Sequence, residues 1–225
     1  IGWLTSVTEP DGASLTYTTN AEGWITSVTD SLGRTTSYTY DAVGNIQTQT
    51  DSDGVTTSYT YDGSGNVTST TIDGKTSYAE YYPNGKIAKE TDQSGISTVY
   101  TYDHNWRLSN VTRDTGEAIS YTYDSCGNLS KEIDALGNQT IYTYDSRGNV
   151  LSKTDPMGNI TNYIYDAADN VICQIDALNN RTNYHYDSQG RLTELIQADG
   201  STYTFTCDTA DNITSVTDPV GNTIS

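Results

Sequence analysis

The chain has 225 residues, and 29 Asp and Glu against 11 Lys and Arg give it a net charge of −18. This charge repels phosphate backbones and anionic membranes, so we expect no nucleic-acid binding. No apolar run is long enough to span a bilayer, so we expect no membrane insertion. The hydrophobic share is only 34%, with 19 Tyr but one Phe and one Met, which excludes a conventional aliphatic core. The three cysteines are an odd number and cannot form a complete disulfide framework.

A unit of 21 residues repeats along the sequence, and its clearest copy, residues 142–159, reads YTYDSRGNVLSKTDPMGN. Asn20 and Pro83 hold the Asp position of the Tyr-Asp step in two degenerate copies. Every interval is 21 residues except the 20 from Pro83 to Asp103, so we place a one-residue deletion in the segment 82–86. A period this strict indicates one structural unit that is copied and stacked. The Asp of the step recurs at Asp41, Asp62, Asp103, Asp124, Asp145, Asp166, Asp187 and Asp208.

Two turn signals divide each copy. The first is Asp-x-x-Gly-Asn, as at 41–45, and the second is usually Asp-x-x-Gly, as at 51–54. The Asp side chain can accept a hydrogen bond from the backbone two residues later, and Gly can adopt the positive φ of a type I turn with a G1 bulge. We therefore predict structural turn roles for Asp41, Gly44, Asp62, Gly65, Asp124, Gly127, Asp145, Gly148, Asp187 and Gly190.

Alternating residues between the turns predict β-strands, such as 149–154 and 161–165, and no window has helical periodicity. Loops of this length join antiparallel neighbours. Because the period is odd, equivalent tyrosines stay on one face only if the two turns differ in loop length or in a bulge. We expect the Asp-x-x-Gly-Asn turn to carry the bulge.

Tyrosines follow the same period and predict a ladder on one face of the sheet. Equivalent rings should lie two strands apart, roughly 9.6 Å, with aliphatic residues such as Ile46 and Val67 between them. Aromatic and β-branched cross-strand pairs stabilise a sheet by about 0.2–1 kcal/mol each, so many pairs would replace a thick core. The predicted ladder consists of Tyr40, Tyr61, Tyr82, Tyr102, Tyr123, Tyr144, Tyr165 and Tyr186.

The predicted fold is all-β, a continuous antiparallel β-meander of about 21 strands. Sheets of more than roughly ten strands curl or close, so we expect it to coil into a spiral, a tube or a barrel-like hollow wall. Residues 1–225 form a single predicted array, because no linker or composition shift interrupts them. Ile1 begins inside a turn and Ser225 ends inside a strand, so we expect a segment of a longer chain or one unit of a polymer.

The unit YDxxGN(V/I/L)xSxTDxxG resembles the RHS repeat, also called the YD repeat, over essentially the whole chain. The resemblance implies a β-sheet wound into a hollow shell. In bacterial RHS proteins and insecticidal toxin complexes that shell encloses a C-terminal toxin, in teneurins it forms an adhesion scaffold, and bacterial wall-associated proteins also use it. The sequence has no PxNPxRYxG segment and no effector domain, so the cargo role is implied only for a longer parent chain.

The turn carboxylates are the best candidates for chemistry, and we expect them to cap turns rather than bind metal. Equivalent carboxylates roughly 9.6 Å apart cannot share one ion, although a local pair such as Asp51 and Asp53 could hold a weak one. His104 and His185 have no repeated Asp or Cys partner, and no nucleophile elbow, HExxH or P-loop occurs. We therefore expect no catalytic residue, no metal and no cofactor.

Two classes of function compete. The first is a non-enzymatic scaffold, a wall segment of a secreted or cell-surface bacterial protein that forms a hollow shell or a self-assembling tubular fibre, with toxin encapsulation as a variant. The second is an adhesion module for glycans or a cell-surface protein, using Trp3, Trp24 and Trp106, although cross-strand packing is the simpler interpretation of those rings. We expect an extracellular or cell-surface location and association through sheet edges or continuation into a longer parent chain.

Overall fold

The computed structural model describes residues 6–8 and 14–224, and every regular element in that part of the chain is a β-strand. The chain divides into two compact units, residues 1–117 and 118–225. Ile1, Trp3 and Ser225 lie outside the described residues, so the expectations placed on the two ends and on Trp3 concern residues beyond that part. The single array over residues 1–225 stays a prediction.

The first unit contains eleven strands, and each pairs antiparallel with its neighbour in chain order. Their bounds are β1 (Ser6–Thr8), β2 (Ser14–Thr19), β3 (Ile25–Asp30), β4 (Thr35–Tyr40), β5 (Ile46–Thr50), β6 (Thr56–Tyr61), β7 (Val67–Ile72), β8 (Lys75–Tyr81), β9 (Ile87–Thr91), β10 (Ser97–Tyr102) and β11 (Leu108–Arg113).

The second unit repeats the same pattern with eleven further strands, again antiparallel in chain order. The predicted all-β antiparallel meander is therefore confirmed in both units. The bounds are β12 (Ala118–Tyr123), β13 (Leu129–Ile133), β14 (Gln139–Tyr144), β15 (Val150–Thr154), β16 (Ile160–Tyr165), β17 (Val171–Ile175), β18 (Arg181–Tyr186), β19 (Leu192–Ile196), β20 (Thr202–Cys207), β21 (Ile213–Thr217) and β22 (Thr223–Ile224).

The two kinds of turn have the same internal hydrogen bonds. In the first kind, the Asp41 amide donates to the Asn45 carbonyl at 2.9 Å and the Gly44 amide donates to the Asp41 carbonyl at 3.3 Å. In the second kind, Asp51 and Gly54 make the equivalent bonds at 3.0 and 3.1 Å. The loops are thus equally long, and the difference that an odd period requires must lie in the strands.

A β-bulge follows the first kind of turn and not the second. After the turn at 41–45, Tyr40 pairs with Ile46 but Thr39 pairs with Thr48, so Gln47 is the extra residue. Across the turn at 51–55 the register runs without a shift. The same shift recurs at every first-kind hairpin described within the two units. The expectation that the Asp-x-x-Gly-Asn turn carries the bulge is confirmed.

The predicted position of the one-residue deletion is wrong, because the short loop lies at 72–75. Thr71 pairs with Thr76 across a two-residue loop, in which Asp73 and Gly74 have φ of 50° and 73°. An Asp-Gly loop with positive φ at both residues has the twist that joins two strands directly, so the hairpin loses a residue without losing its pairing.

The turn at 82–86 is complete, with the Tyr82 amide donating to the Lys86 carbonyl at 2.8 Å. Tyr82 rather than Pro83 therefore holds the Asp position, and the assignment of Tyr82 to the tyrosine ladder is wrong. Tyr81 holds that ladder position and pairs with Ile87, as Tyr61 pairs with Val67.

Strand pairing places the side chains on two unlike faces. The face that carries Tyr38, Tyr40, Tyr59, Tyr61 and their equivalents in later repeats is called the tyrosine face; in β4 its residues are half-buried while the alternate residues are exposed. The opposite face is rich in hydroxyl groups that pair across strands. Thr39 and Thr48 are 2.6 Å apart at their Oγ1 atoms, and Thr50 and Thr56 are 2.8 Å apart.

No thick core forms in the described part of the chain, where Cys173, with 5% of its surface exposed, is the one buried residue. The three cysteines are free thiols. Stability must therefore come from ladder hydrogen bonds and from pairs of half-buried side chains on each face. The side chains that make those pairs are therefore the candidate functional residues.

Candidate functional site: capped turns and tyrosine clamps

Each turn Asp saturates its own turn with hydrogen bonds. Asp166 Oδ1 accepts from the backbone amides of Ala168 and Asn170 at 2.8 and 2.9 Å, and its Oδ2 accepts from Asn170 Nδ2 at 3.0 Å. The same three bonds occur at other first-kind turns and at several second-kind turns, namely at Asp41, Asp62, Asp124, Asp145, Asp134, Asp155, Asp176 and Asp218.

These bonds lower the pKa of the turn carboxylates below its ordinary value. The side-chain hydrogen bond from Asn170 is the largest cause of a lowered pKa at Asp166, ahead of the Asn170 backbone amide. A carboxylate that accepts three donors is stabilised in its charged form. The turn Asp is therefore a structural anion, with three of its roughly four acceptor positions occupied by its own loop.

Arg replaces the Asn partner in three turns and adds an ion pair. Arg191 donates through Nε to Asp187 Oδ2 at 2.7 Å, and this bond is the largest cause of a lowered pKa at Asp187. Arg107 and Arg34 make the equivalent bonds to the Asp four residues earlier, at 2.7 and 2.6 Å. The turn thus accepts Asn or Arg at this position with the same Asp geometry.

Glycine meets a conformational requirement at the fourth turn position. The predicted turn glycines Gly44, Gly65, Gly127, Gly148 and Gly190 all have φ between 82° and 99°. An L-residue there costs about 1–2 kcal/mol. Trp106 holds the same position with φ of 60° and packs its ring 5.3 Å from Tyr82 and 6.1 Å from Tyr102, contacts that offset the strain.

Successive turns on one edge of the sheet contact each other. The repeat pattern predicts the bonds inside each turn but not these contacts between turns. In the second unit, Arg147 donates to the Ala167 carbonyl at 3.1 Å and pairs with Asp169 at 2.9 Å. Arg191 reaches the Asp208 carbonyl at 2.9 Å. Turns two strands apart are therefore bridged by long side chains.

Tyrosine hydroxyls bind neighbouring strands together, and these bonds are here called the tyrosine clamps. The Tyr165 hydroxyl donates to the Val150 carbonyl at 2.9 Å, a residue 15 positions earlier on the preceding strand. Burial is the largest cause of a raised pKa at Tyr165, since a phenolate is disfavoured away from water. The clamp residues with a described acceptor are Tyr40, Tyr61, Tyr81, Tyr102, Tyr144, Tyr165 and Tyr186.

Of the eight residues predicted to form the tyrosine ladder, Tyr82 is the one that does not hold a ladder position. Tyr123 takes the ladder position and pairs with Leu129. Tyr82 instead packs edge-on against Tyr102, with ring centroids 5.6 Å apart, and Lys86 lies 5.1 Å above the Tyr102 ring.

The tryptophan rings that were candidates for sugar stacking are engaged in packing. Trp24 lies 5.3 Å from Tyr40 and under the next turn, where a Cβ on Gly44 would come within 2.9 Å of its ring. Trp106 packs in the cluster with Tyr82 and Tyr102. Trp24 therefore fills space between repeats, whereas Trp106 packs on one side and leaves 42% of its surface exposed.

The histidines and the acidic pairs do not assemble a reactive centre in the described part of the chain. His185 lies 3.8 Å from Glu194 on the exposed opposite face, and Asp51 Oδ1 accepts from the amides of Asp53 and Val55. Within residues 6–8 and 14–224, no group of three or more His, Cys, Asp or Glu is placed to hold a metal ion. That part of the chain also has no helix long and apolar enough to cross a membrane.

The sequence of the chain also matches the model of a known protein family. The model of the RHS repeat matches residues 20–54, 40–76, 127–160, 144–180, 165–202 and 186–223, more than half of the chain in total. No curated protein sequence matches the chain.

One solved structure shares the fold, and a second is similar to a lower degree. A Tc holotoxin pore from Photorhabdus luminescens is similar with a TM-score of 0.60 and 19% identity over 91% of this chain. A TcdB2–TccC3 complex matches with a TM-score of 0.47 and 15% identity over 92% of this chain. The matched regions are 13% and 16% of those two chains, so this chain spans a small part of the proteins it resembles.

Proposed function

Because this chain belongs to the RHS repeat family, we propose that it is a non-enzymatic structural segment of a β-sheet wall in a longer secreted or cell-surface bacterial protein. The observation that carries the proposal is the tyrosine clamp, which repeats in both units and is described at seven hairpins, each tied to the strand before it. The repeated polar groups are thus used in holding the sheet together.

The state of the turn carboxylates supports a scaffold over an enzyme. Asp155, for example, accepts from Met157, from the Asn159 amide and from the Asn159 side chain. A catalytic or metal-binding carboxylate needs acceptor sites free for a ligand. The most repeated acid in this chain is committed to its own loop.

The wall should continue either into a longer parent chain or into further copies of this chain. Multi-angle light scattering over a wide concentration range, with negative-stain micrographs at its upper end, tests the second route. We expect growth into closed particles or fibres, because unpaired strand edges join other edges. A folded chain that stays monomeric at every concentration would overturn the self-assembling fibre.

Enclosure of a toxin in the parent protein is a second candidate, supported by the shared fold with the Tc holotoxin pore. It is tested on the parent chain by limited proteolysis of the segment that follows the repeats. A shell protects that segment while the sheet is intact and releases it when clamp hydroxyls are removed, as in Tyr144→Phe with Tyr165→Phe. Cleavage at the same rate in both proteins would exclude enclosure.

A glycan-binding role has less support, since Trp24 is held under the next turn and Trp106 packs against Tyr82 and Tyr102 with part of its ring exposed. A glycan array on folded protein separates it from the scaffold. Reproducible binding that is lost in Trp24→Ala would favour the adhesion role. Absence of binding to every glycan on the array would favour the scaffold.

A further inference from the structure

The short loop at 72–75 leaves one tyrosine position on the tyrosine face without its ring. Ala79 pairs with Glu90, as Tyr59 pairs with Thr70 one repeat earlier and as Tyr100 pairs with Val111 one repeat later. The nearby Tyr78 has moved by one residue and pairs with Ser69 on the opposite face, where it is 55% exposed. The repeat therefore has a methyl group where its neighbours carry a phenol.

A cavity of about 590 Å³ in the first unit includes Ala79 in its lining. Tyr59 and Tyr100 line it from β6 and β10, each two strands away from Ala79. Their side chains can contact a guest ring edge to face. The lining of the cavity includes Tyr59, Thr70, Ala79, Glu90, Tyr100 and Arg113.

Glu90 supplies a polar anchor within this cavity. Its Oε2 accepts from the Tyr100 hydroxyl at 2.7 Å, while its Oε1 has no described protein donor. That hydrogen bond is the largest cause of the raised pKa of Tyr100, about 12. Glu90 therefore already accepts from one phenol and has a second carboxylate oxygen for another. Charge-assisted hydrogen bonds of this kind are the strong ones.

We propose that the cavity over Ala79 binds the phenol ring of a tyrosine side chain presented by another polypeptide, with its hydroxyl donating to Glu90. The ring would take the place that Tyr59 and Tyr100 fill in the adjoining repeats. The proposal concerns a binding site on the tyrosine face and does not depend on whether the wall is a shell or a fibre.

Saturation-transfer NMR with N-acetyl-tyrosinamide and a Gly-Tyr-Gly peptide at millimolar concentration tests the site. We expect transfer to the ring protons from the native chain, weaker transfer to N-acetyl-phenylalaninamide and none to N-acetyl-leucinamide. The substitution Glu90→Gln should reduce the tyrosine signal to the phenylalanine level, because only the tyrosine probe uses the carboxylate.

The matched variants are Ala79→Tyr, which supplies the side chain of the equivalent repeats, and Ala79→Ser, which leaves the cavity open. Ala79→Tyr should abolish transfer and Ala79→Ser should retain it, with circular dichroism showing that both fold. Ala79→Leu serves as the filling variant if Ala79→Tyr does not fold. Absence of transfer from the native chain, or equal transfer after filling the cavity, would overturn the proposal.

Discussion

At the scale of single residues, the chain assigns fixed tasks to Asp, Gly and Tyr. The Asp side chain replaces a backbone acceptor inside its loop, Gly supplies the positive φ, and the Tyr hydroxyl satisfies a carbonyl on the preceding strand. None of these tasks requires a buried side chain. A sheet without a thick core can be stable because each of these residues satisfies a hydrogen-bonding group in its own loop or on the adjacent strand.

Removing one clamp hydroxyl isolates its contribution. Tyr165→Phe leaves the ring in place but removes the donor to the Val150 carbonyl, so we expect a loss of about 1 kcal/mol in the free energy of unfolding. Tyr163→Phe is the matched control, since no hydrogen bond of its hydroxyl is found among the described residues. Urea unfolding measures both, and equal effects would refute the clamp.

Two turn glycines separate backbone strain from crowding. Gly54→Ala should cost about 1–2 kcal/mol for its positive φ alone, because nothing lies within 4 Å of the added Cβ. Gly44→Ala should cost at least about 1 kcal/mol more, because its Cβ would lie 2.9 Å from the Trp24 ring. Thermal melts compare the two variants, and in a Trp24→Ala background their difference should vanish.

At the scale of the hairpin, the turn and the bulge divide the work of keeping the faces distinct. The two kinds of turn have equal loops, so the extra residue after the first kind, such as Gln47, accounts for the odd period. The hairpin at 72–75 drops a loop residue and still pairs Thr71 with Thr76. The second kind of turn is therefore the place where the repeat tolerates a change of length.

Deletion of Ser52 tests this tolerance. It would leave Asp53-Gly54 as a two-residue loop, the same dipeptide that joins β7 and β8 at Asp73-Gly74. We expect an unchanged β-sheet circular dichroism spectrum and a melting temperature lower by only a few degrees. Deletion of Gln49, inside β5, moves the residues beyond it to the wrong face and should abolish cooperative unfolding. Similar melts for the two deletions would contradict this division.

The period predicted the strands, the turns and the bulge because each follows from local rules that read a few residues at a time. The clamp acceptors did not follow, since the bond from Tyr165 to Val150 spans 15 residues and depends on how β15 pairs with β16. The error at Tyr82 has a similar origin. Its neighbours Pro83, Asn84 and Gly85 look like a shortened Tyr-Asp turn, and the true deletion leaves an ordinary Asp-Gly pair.

At the scale of the whole molecule, the same groups repeat often enough to control stability against pH. The turn Asp residues have lowered pKa values in the fold, so their contribution is present above the unfolded pKa of about 4 and is lost as pH falls through the folded pKa. The clamp tyrosines have raised pKa values. Their contribution is present below about pH 10 and is lost as pH rises through the folded pKa.

We therefore expect the urea midpoint to stay level between about pH 5 and 9 and to fall on both sides. Titration of the tyrosinate absorption band should show Tyr100 ionising last, near the pKa of about 12 that Glu90 imposes. Glu90→Gln should lower that pKa, because it removes the carboxylate that accepts from the Tyr100 hydroxyl. An alkaline limb that does not change in a clamp-free variant would show that other groups control it.

The self-contained turns also bear on how such a chain can change between generations. A loop whose Asp, Gly and Asn satisfy one another requires nothing from distant sequence, so unequal crossing-over between gene copies that adds or removes a whole repeat produces a hairpin that is already complete. The array can thus be lengthened or shortened by recombination without passing through a misfolded intermediate. The two-residue loop at 72–75 is then the trace of a one-residue, in-frame deletion that left the pairing of β7 with β8 intact.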